Sequence, residues 1–74
     1  MKLTDLKQGQ IAKITSLQME GVNRQRLLTM GILVGKEIHL RNLAPFGDPR
    51  IYTVMDYDLT LRNADAEKIQ VEPI

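Results

Sequence analysis

The run Arg26-Leu27-Leu28-Thr29-Met30-Gly31-Ile32-Leu33-Val34-Gly35 confines this chain more than any other part of it. Its first half has the apolar spacing of a short helix. Gly31 stands where a helix end passes into left-handed backbone, a conformation that costs any residue carrying a Cβ. Gly35 with Lys36 offers a second sharp turn, and Glu37 to Leu43 then alternates as a strand does, with Ile38 and Leu40 pointing one way and His39 and Arg41 the other. A stiff reversal follows in Ala44-Pro45-Phe46-Gly47-Asp48-Pro49. Each proline fixes its own φ and biases the preceding residue toward extended backbone, and Gly47-Asp48 supplies the turn. Helix, stop, strand and reversal in so short a space describe a small β structure carrying one helix.

The remaining segments fit that frame. Leu3 to Gln8 reads as one helical turn capped by Thr4 and ended by Gly9. Ile11 to Leu17 is rich in branched residues and reads as a first strand. Ile11 and Ile14 do not share a period of two, which predicts a bulge or bend. The helix is expected over Asn23 to Met30, with Leu27 and Met30 facing inward and Arg24 and Leu28 on a neighbouring face. About eight residues cannot hold a helix alone, so packing must hold this one. Tyr52-Thr53-Val54 and Leu59-Thr60-Leu61 read as strands joined by Met55-Asp56-Tyr57-Asp58. Asn63 to Lys68 reads as a helical turn capped by Asn63, and Ile69 to Val71 as a last strand. The expected fold is mainly β: one domain over residues 1–74, a small SH3-like barrel of about five strands with one helix between the first two. Closure would remove the open edges that invite aggregation.

Composition narrows the function classes. Seventy-four residues without a cysteine exclude disulfides and thiolate metal sites and suit a reducing cytosol. The N-terminus lacks a signal-peptide apolar core, and no run approaches a membrane span, so no direct membrane insertion and a cytoplasmic location are expected. Ten basic and nine acidic residues create no field that would draw nucleic acid. Aromatic residues make up only 4% of the chain, so base stacking and a proline-peptide groove both lack their platform. The core must be built from Ile, Leu, Val and Met.

Catalytic and metal chemistry find little purchase. His39 is the only histidine, on the polar side of its strand, without the further ligands a tight site needs. Asp56 and Asp58 would share a face on an ideal strand, but a solvated hairpin tip explains them. Gly31 to Glu37 imitates a phosphate-binding loop, yet it is one residue short and carries Glu37 where a hydroxyl should hold magnesium. A strand follows it where a helix is required. The hydroxyls of Thr4, Thr15, Ser16, Thr29, Thr53 and Thr60 have no base at recognisable spacing. The chain reads as no enzyme, with no cofactor and no metal ligand set.

Surplus apolar residues are more telling. With Leu27 and Met30 inward, Leu28 should be partly exposed, as should Leu33 at the turn and Phe46 at the loop tip. Met19 lies in a polar setting before the helix. Such side chains form a docking patch if they cluster.

The ordered set Arg26-Leu27, Met30-Gly31-Ile32, Gly35, Ala44-Pro45, Gly47-Asp48-Pro49, Tyr57, Leu59, Leu61-Arg62, Ala66-Glu67-Lys68-Ile69 and Val71 resembles the ferrous iron transport protein A (FeoA) family over nearly the whole chain. Arg50 stands where members often carry an apolar residue, and Asp56 where many have a glycine. The resemblance implies a cytoplasmic bacterial SH3-like domain associated with a FeoB-type membrane GTPase and ferrous iron transporter; a monomer is expected, although the sequence does not itself give the oligomeric state. Its cytosolic part would be the partner, and Arg24, Arg26, Leu28, Leu33 and Phe46 are the candidate contacts. The other reading is a stand-alone regulatory domain similar to the C-terminal domain of metal-dependent transcription repressors, acting by protein–protein contact.

Overall fold

The computed structural model describes every residue except Ala44 and Phe46, and Leu43 by its backbone alone. A 3-10 turn (Leu3–Asp5) leads into β1 (Ile11–Leu17), α1 (Gly21–Thr29), β2 (Glu37–Leu43), β3 (Arg50–Val54), β4 (Tyr57–Leu61), α2 (Asn63–Ala66) and β5 (Ile69–Pro73). The strands form one antiparallel sheet in the order β4-β3-β2-β1-β5. The expected five-stranded, mainly β architecture is the one observed, with α1 between β1 and β2.

Alternation places the core. Ala12 opposes Ile38, Ile38 opposes Val54, and Leu40, Tyr52 and Leu59 form a row across three strands. All of these are buried, with Ile14, Leu17, Leu61, Ile69 and Val71 completing the inner face. Leu3, Leu6, Leu27, Ile32 and Ala66 cover it from the turns and helices. Two bulges bend the sheet around this core. In β1 Thr15 is the extra residue, because Ile14 pairs with Val71 and Ser16 with the adjacent Gln70. This resets the parity so that Ile14 and Leu17 both face inward, while Ile11 faces out. In β2 Arg41 is extra, since Leu40 pairs with Tyr52 and Asn42 with Ile51.

Several local expectations are corrected. The N-terminal turn stops at Asp5, and Thr4 is not its cap: the Lys2 N–H donates to Asp5 Oδ2 at 3.1 Å. α1 begins at Gly21 instead of Asn23, and Met30 is its C-cap, half-buried. The hairpin after β3 is a two-residue turn. Met55 and Asp56 both have positive φ, 50° and 69°, and Tyr57 and Asp58 already pair with Val54 and Thr53. β5 runs on to Pro73. Asn63 is the first residue of α2, not its cap. Its N–H donates to Asp48 Oδ1 at 3.0 Å and its Nδ2 donates to the Gly47 carbonyl at 3.0 Å. The proline-flanked reversal therefore caps a helix that comes fourteen residues later in the sequence, a contact no local pattern announces.

Candidate functional site

α1 is the element that departs most from the sheet, and its C-terminal end is fixed by backbone geometry. The Ile32 N–H reaches back to the Leu27 carbonyl (3.0 Å) and the Gly31 N–H to the Leu28 carbonyl (3.0 Å), with Gly31 at φ 98°. This is a Schellman closure, and its flanking residues Leu27 and Ile32 are both in the core. The Tyr57 hydroxyl donates to the Met30 carbonyl, tying the helix end to β4. A turn then follows from Leu33 to Lys36, closed by Lys36 N–H to the Leu33 carbonyl at 3.2 Å, with Gly35 at φ 93° in its third position.

Of the sequence-predicted contact residues, Arg24, Arg26, Leu28 and Leu33 lie on this scaffold but do not form one patch. Arg24 is half-buried and its Nη1 donates to the Leu17 carbonyl at 3.4 Å. It lines a cleft of about 460 Å³ with Leu17, Gln18, Met19 and Glu20. Arg26 projects to another side, where its Nη2 meets Asp65 Oδ2 at 3.1 Å and joins α1 to α2. Two residues of separation turn a helix by more than half a revolution, which divides the two arginines. Leu28 is half-buried and packs against the core, so it contributes as much to holding the helix as to any contact. Leu33 is half-buried in the turn. Phe46 lies outside the described residues.

Sequence reasoning missed Val22, which is 84% exposed on α1, and Val34, exposed in the turn. A helix taken to start at Asn23 excludes Val22; starting it at Gly21 places the residue on the face away from Leu27. It also missed a second concavity, on the outer face of the sheet. Ile11, His39 and Thr53 stand in one cross-strand row there, and with Lys36, Glu37, Met55 and Asp56 they line a cleft of about 480 Å³. Among the described residues no three His, Asp or Glu side chains come together as a metal-binding group. Asp58 is already engaged: it accepts from Thr53 Oγ1 at 2.6 Å and is ion-paired with Arg41. Asp56 sits at the hairpin tip instead of beside it on a strand face.

One ionisable group is displaced from its ordinary range. Tyr52 is fully buried, and burial pushes its phenol upward, with the nearby Arg50 guanidinium offsetting part of the effect. The Tyr52 hydroxyl nevertheless has no hydrogen-bond partner. Arg50 donates elsewhere, to the Thr4 carbonyl at 2.6 Å and the Gly47 carbonyl at 3.2 Å. Here the arginine at the start of β3 has a structural task, linking the N-terminal turn to the reversal. None of the described helices is long and apolar enough to cross a membrane.

Comparison with known proteins matches this architecture. A family model described as the FeoA domain covers residues 1–73. The Fe(2+) transport protein A/Fe(2+) transporter FeoB fusion protein of Porphyromonas gingivalis is 45% identical over the whole chain, which spans only 9% of that protein's length. The solution structure of iron(II) transport protein A from Clostridium thermocellum superposes with a TM-score of 0.97 at 36% identity, covering 100% of this chain and 46% of that one. FeoA of Stenotrophomonas maltophilia, crystallised with zinc and described as a procaryotic SH3 domain protein, gives 0.84 at 25% identity over 97% of this chain and 89% of that one. The SH3-like fold is thus shared, and the family is one of non-catalytic accessory domains. With a family match over nearly its full length, this chain belongs to the FeoA family.

Proposed function

We propose that this protein is a cytoplasmic accessory module of ferrous iron uptake that binds the cytosolic part of a FeoB-type transporter and modulates its assembly or activity. The observation that carries this reading is the Porphyromonas gingivalis relative, in which a domain 45% identical to this chain is part of one polypeptide with the transporter. Fusion raises the effective concentration of two parts that work together, and separate chains need a surface to do the same. The absence of a charge imbalance argues for contact by shape and local pairing instead of long-range steering.

The candidate contacts are Arg24, Arg26, Leu28, Leu33 and Phe46, and the exposed Val22 of α1 is added to them. Leu28 is a poor probe, because an acid there would also disturb the core. Val22→Asp and Arg26→Glu leave the core untouched. With a detergent-solubilised FeoB-type transporter from the same organism, wild-type protein is expected to co-purify. The two variants together should reduce capture at least about tenfold, and because Arg26→Glu also breaks the exposed pair with Asp65, a loss of stability of up to about 1 kcal/mol is expected with the fold retained. Failure of the wild-type protein to bind the transporter refutes the reading. Full binding by the double variant moves the contact surface off α1.

A further inference from the structure

The pair Leu61-Arg62 closes β4, and the fold uses only its first side chain. Leu61 is buried in the core. Arg62 is exposed, and its side chain is in no ion pair among the described residues. It lines a small cleft between β4, α1 and α2, together with Arg26, Met30, Thr60, Leu61 and Asp65. The second arginine there is held through a single nitrogen: Arg26 Nη2 meets Asp65 Oδ2 at 3.1 Å, while the side chain stays 54% exposed and within reach of a partner.

Two cations face one anion here, so the cleft carries one uncompensated positive charge. Neither of the two larger clefts does. The cleft on the outer sheet face sets Lys36 against Glu37 and Asp56, and the Arg24 cleft sets its arginine against Glu20. Size limits the occupant as charge does. The cleft holds about 180 Å³, which suits one side chain and falls below the about 300–1,000 Å³ of sites for whole small molecules. Its walls are set in advance, which lowers the cost of binding. Asp65 holds Arg26, and the Tyr57 hydroxyl holds the Met30 carbonyl. Val22, Arg26 and the C-cap Met30 follow one another at intervals of four and share a face of α1. The cleft therefore opens onto the stripe of the helix that carries the exposed Val22.

We infer that this cleft seats one carboxylate side chain of the transporter's cytosolic part, between Arg26 and Arg62. The inference rests on the proposed function for its partner and adds the chemistry of the contact: an acidic residue with an apolar one beside it. The planar forks of the two guanidiniums match the two oxygens of a carboxylate. The methylene stem of the acid lies against Met30, and its apolar neighbour reaches Val22 about one helical turn further along α1. A phosphate group would bring about −1.5 to −2 charges where one is missing. Arg62 thereby joins Arg26 as a residue that selects the partner.

Titration of the protein onto an immobilised, detergent-solubilised FeoB-type transporter from the same organism tests this. Arg62→Glu should weaken binding at least about tenfold and keep the wild-type melting temperature, because Arg62 has no ion pair within the chain to lose. Arg62→Ala only truncates the side chain and takes its place if the charge reversal disturbs the fold. Lys36→Glu makes the same change of net charge at the outer-sheet cleft and should bind as the wild type does. Wild-type affinity in the Arg62 variant overturns the inference and leaves the proposed function standing. An equal loss in Lys36→Glu also overturns it, since net charge alone would then explain the effect. Inorganic phosphate at about 1 mM should leave the Arg26 and Arg62 Nε–H resonances of the isolated protein in place. Saturable shifts there would make the cleft a site for free anions and overturn the carboxylate assignment. Absence of wild-type binding removes the proposed function and this inference together.

Discussion

Replacing Gly31 by alanine should test how α1 is ended and held. Gly31 has φ 98°, and a Cβ built there meets the Tyr57 hydroxyl far inside contact distance, with Cζ of the same ring at 3.1 Å. The backbone cost of an L-residue in that region is about 1–2 kcal/mol. Moving Tyr57 aside also forfeits its hydrogen bond to the Met30 carbonyl, about 1 kcal/mol. Alanine restricts the unfolded chain and recovers about 0.4–1 kcal/mol. The net loss is about 2 kcal/mol, a fall in Tm of roughly 8–16 °C for a domain of this size. Thermal and urea unfolding followed by circular dichroism would measure it. Tyr57→Phe alone should cost about 1 kcal/mol. In the double variant the hydroxyl that opposes the new Cβ is gone, so the two losses should not add, and the cycle should show a coupling of about 1 kcal/mol. Additive losses, or a Gly31→Ala protein within about 0.5 kcal/mol of wild type, would refute the reasoning.

Two further variants should stabilise the protein. Tyr52→Phe removes a buried hydroxyl without a partner and should gain about 1 kcal/mol by chemical denaturation. It should also change the alkaline limb. Burial raises the folded-state pKa above the ordinary value of 10.0, so the unfolded chain ionises first. Wild-type stability is whole below about pH 10 and is lost as pH climbs through the folded-state value, whereas the phenylalanine variant lacks that loss. Met55→Asn combined with Asp56→Gly places the preferred residues in a turn that needs two positive φ angles, and should raise Tm by roughly 4–8 °C.

Much of the fold was legible because it rests on local rules. Gly31 and Gly35 announce positive φ, and both have it. Ile38 and Leu40 alternate with His39 and Arg41, and the first two are buried. The broken period in β1 announced a bulge, although not that Ala12 would be the inward residue and Ile11 the outward one. Element ends were less legible. Tyr57 and Asp58 read as loop because Asp-Tyr-Asp resembles a polar tip; cross-strand pairing with Val54 and Thr53 drew them into β4. Asn63 read as a cap because its side chain suits that position, but Asp48 from the reversal takes the role.

The candidate site shows the same division. A helical turn carrying Arg24, Arg26 and Leu28 could be seen in the chain, since side-chain type and spacing are written there. Their separation could not: Arg24 reaches the end of β1, Arg26 reaches α2, and Leu28 leans on the core. The sequence by itself determined the class of the molecule, a small β fold with one glycine-stopped helix, because backbone sterics and hydrophobic alternation act within a few residues. Only the tertiary structure decided the order of the strands in the sheet and which charges would pair, as Arg26 does with Asp65 and Arg41 with Asp58. Those depend on which distant segments meet, and no short-range rule carries that information.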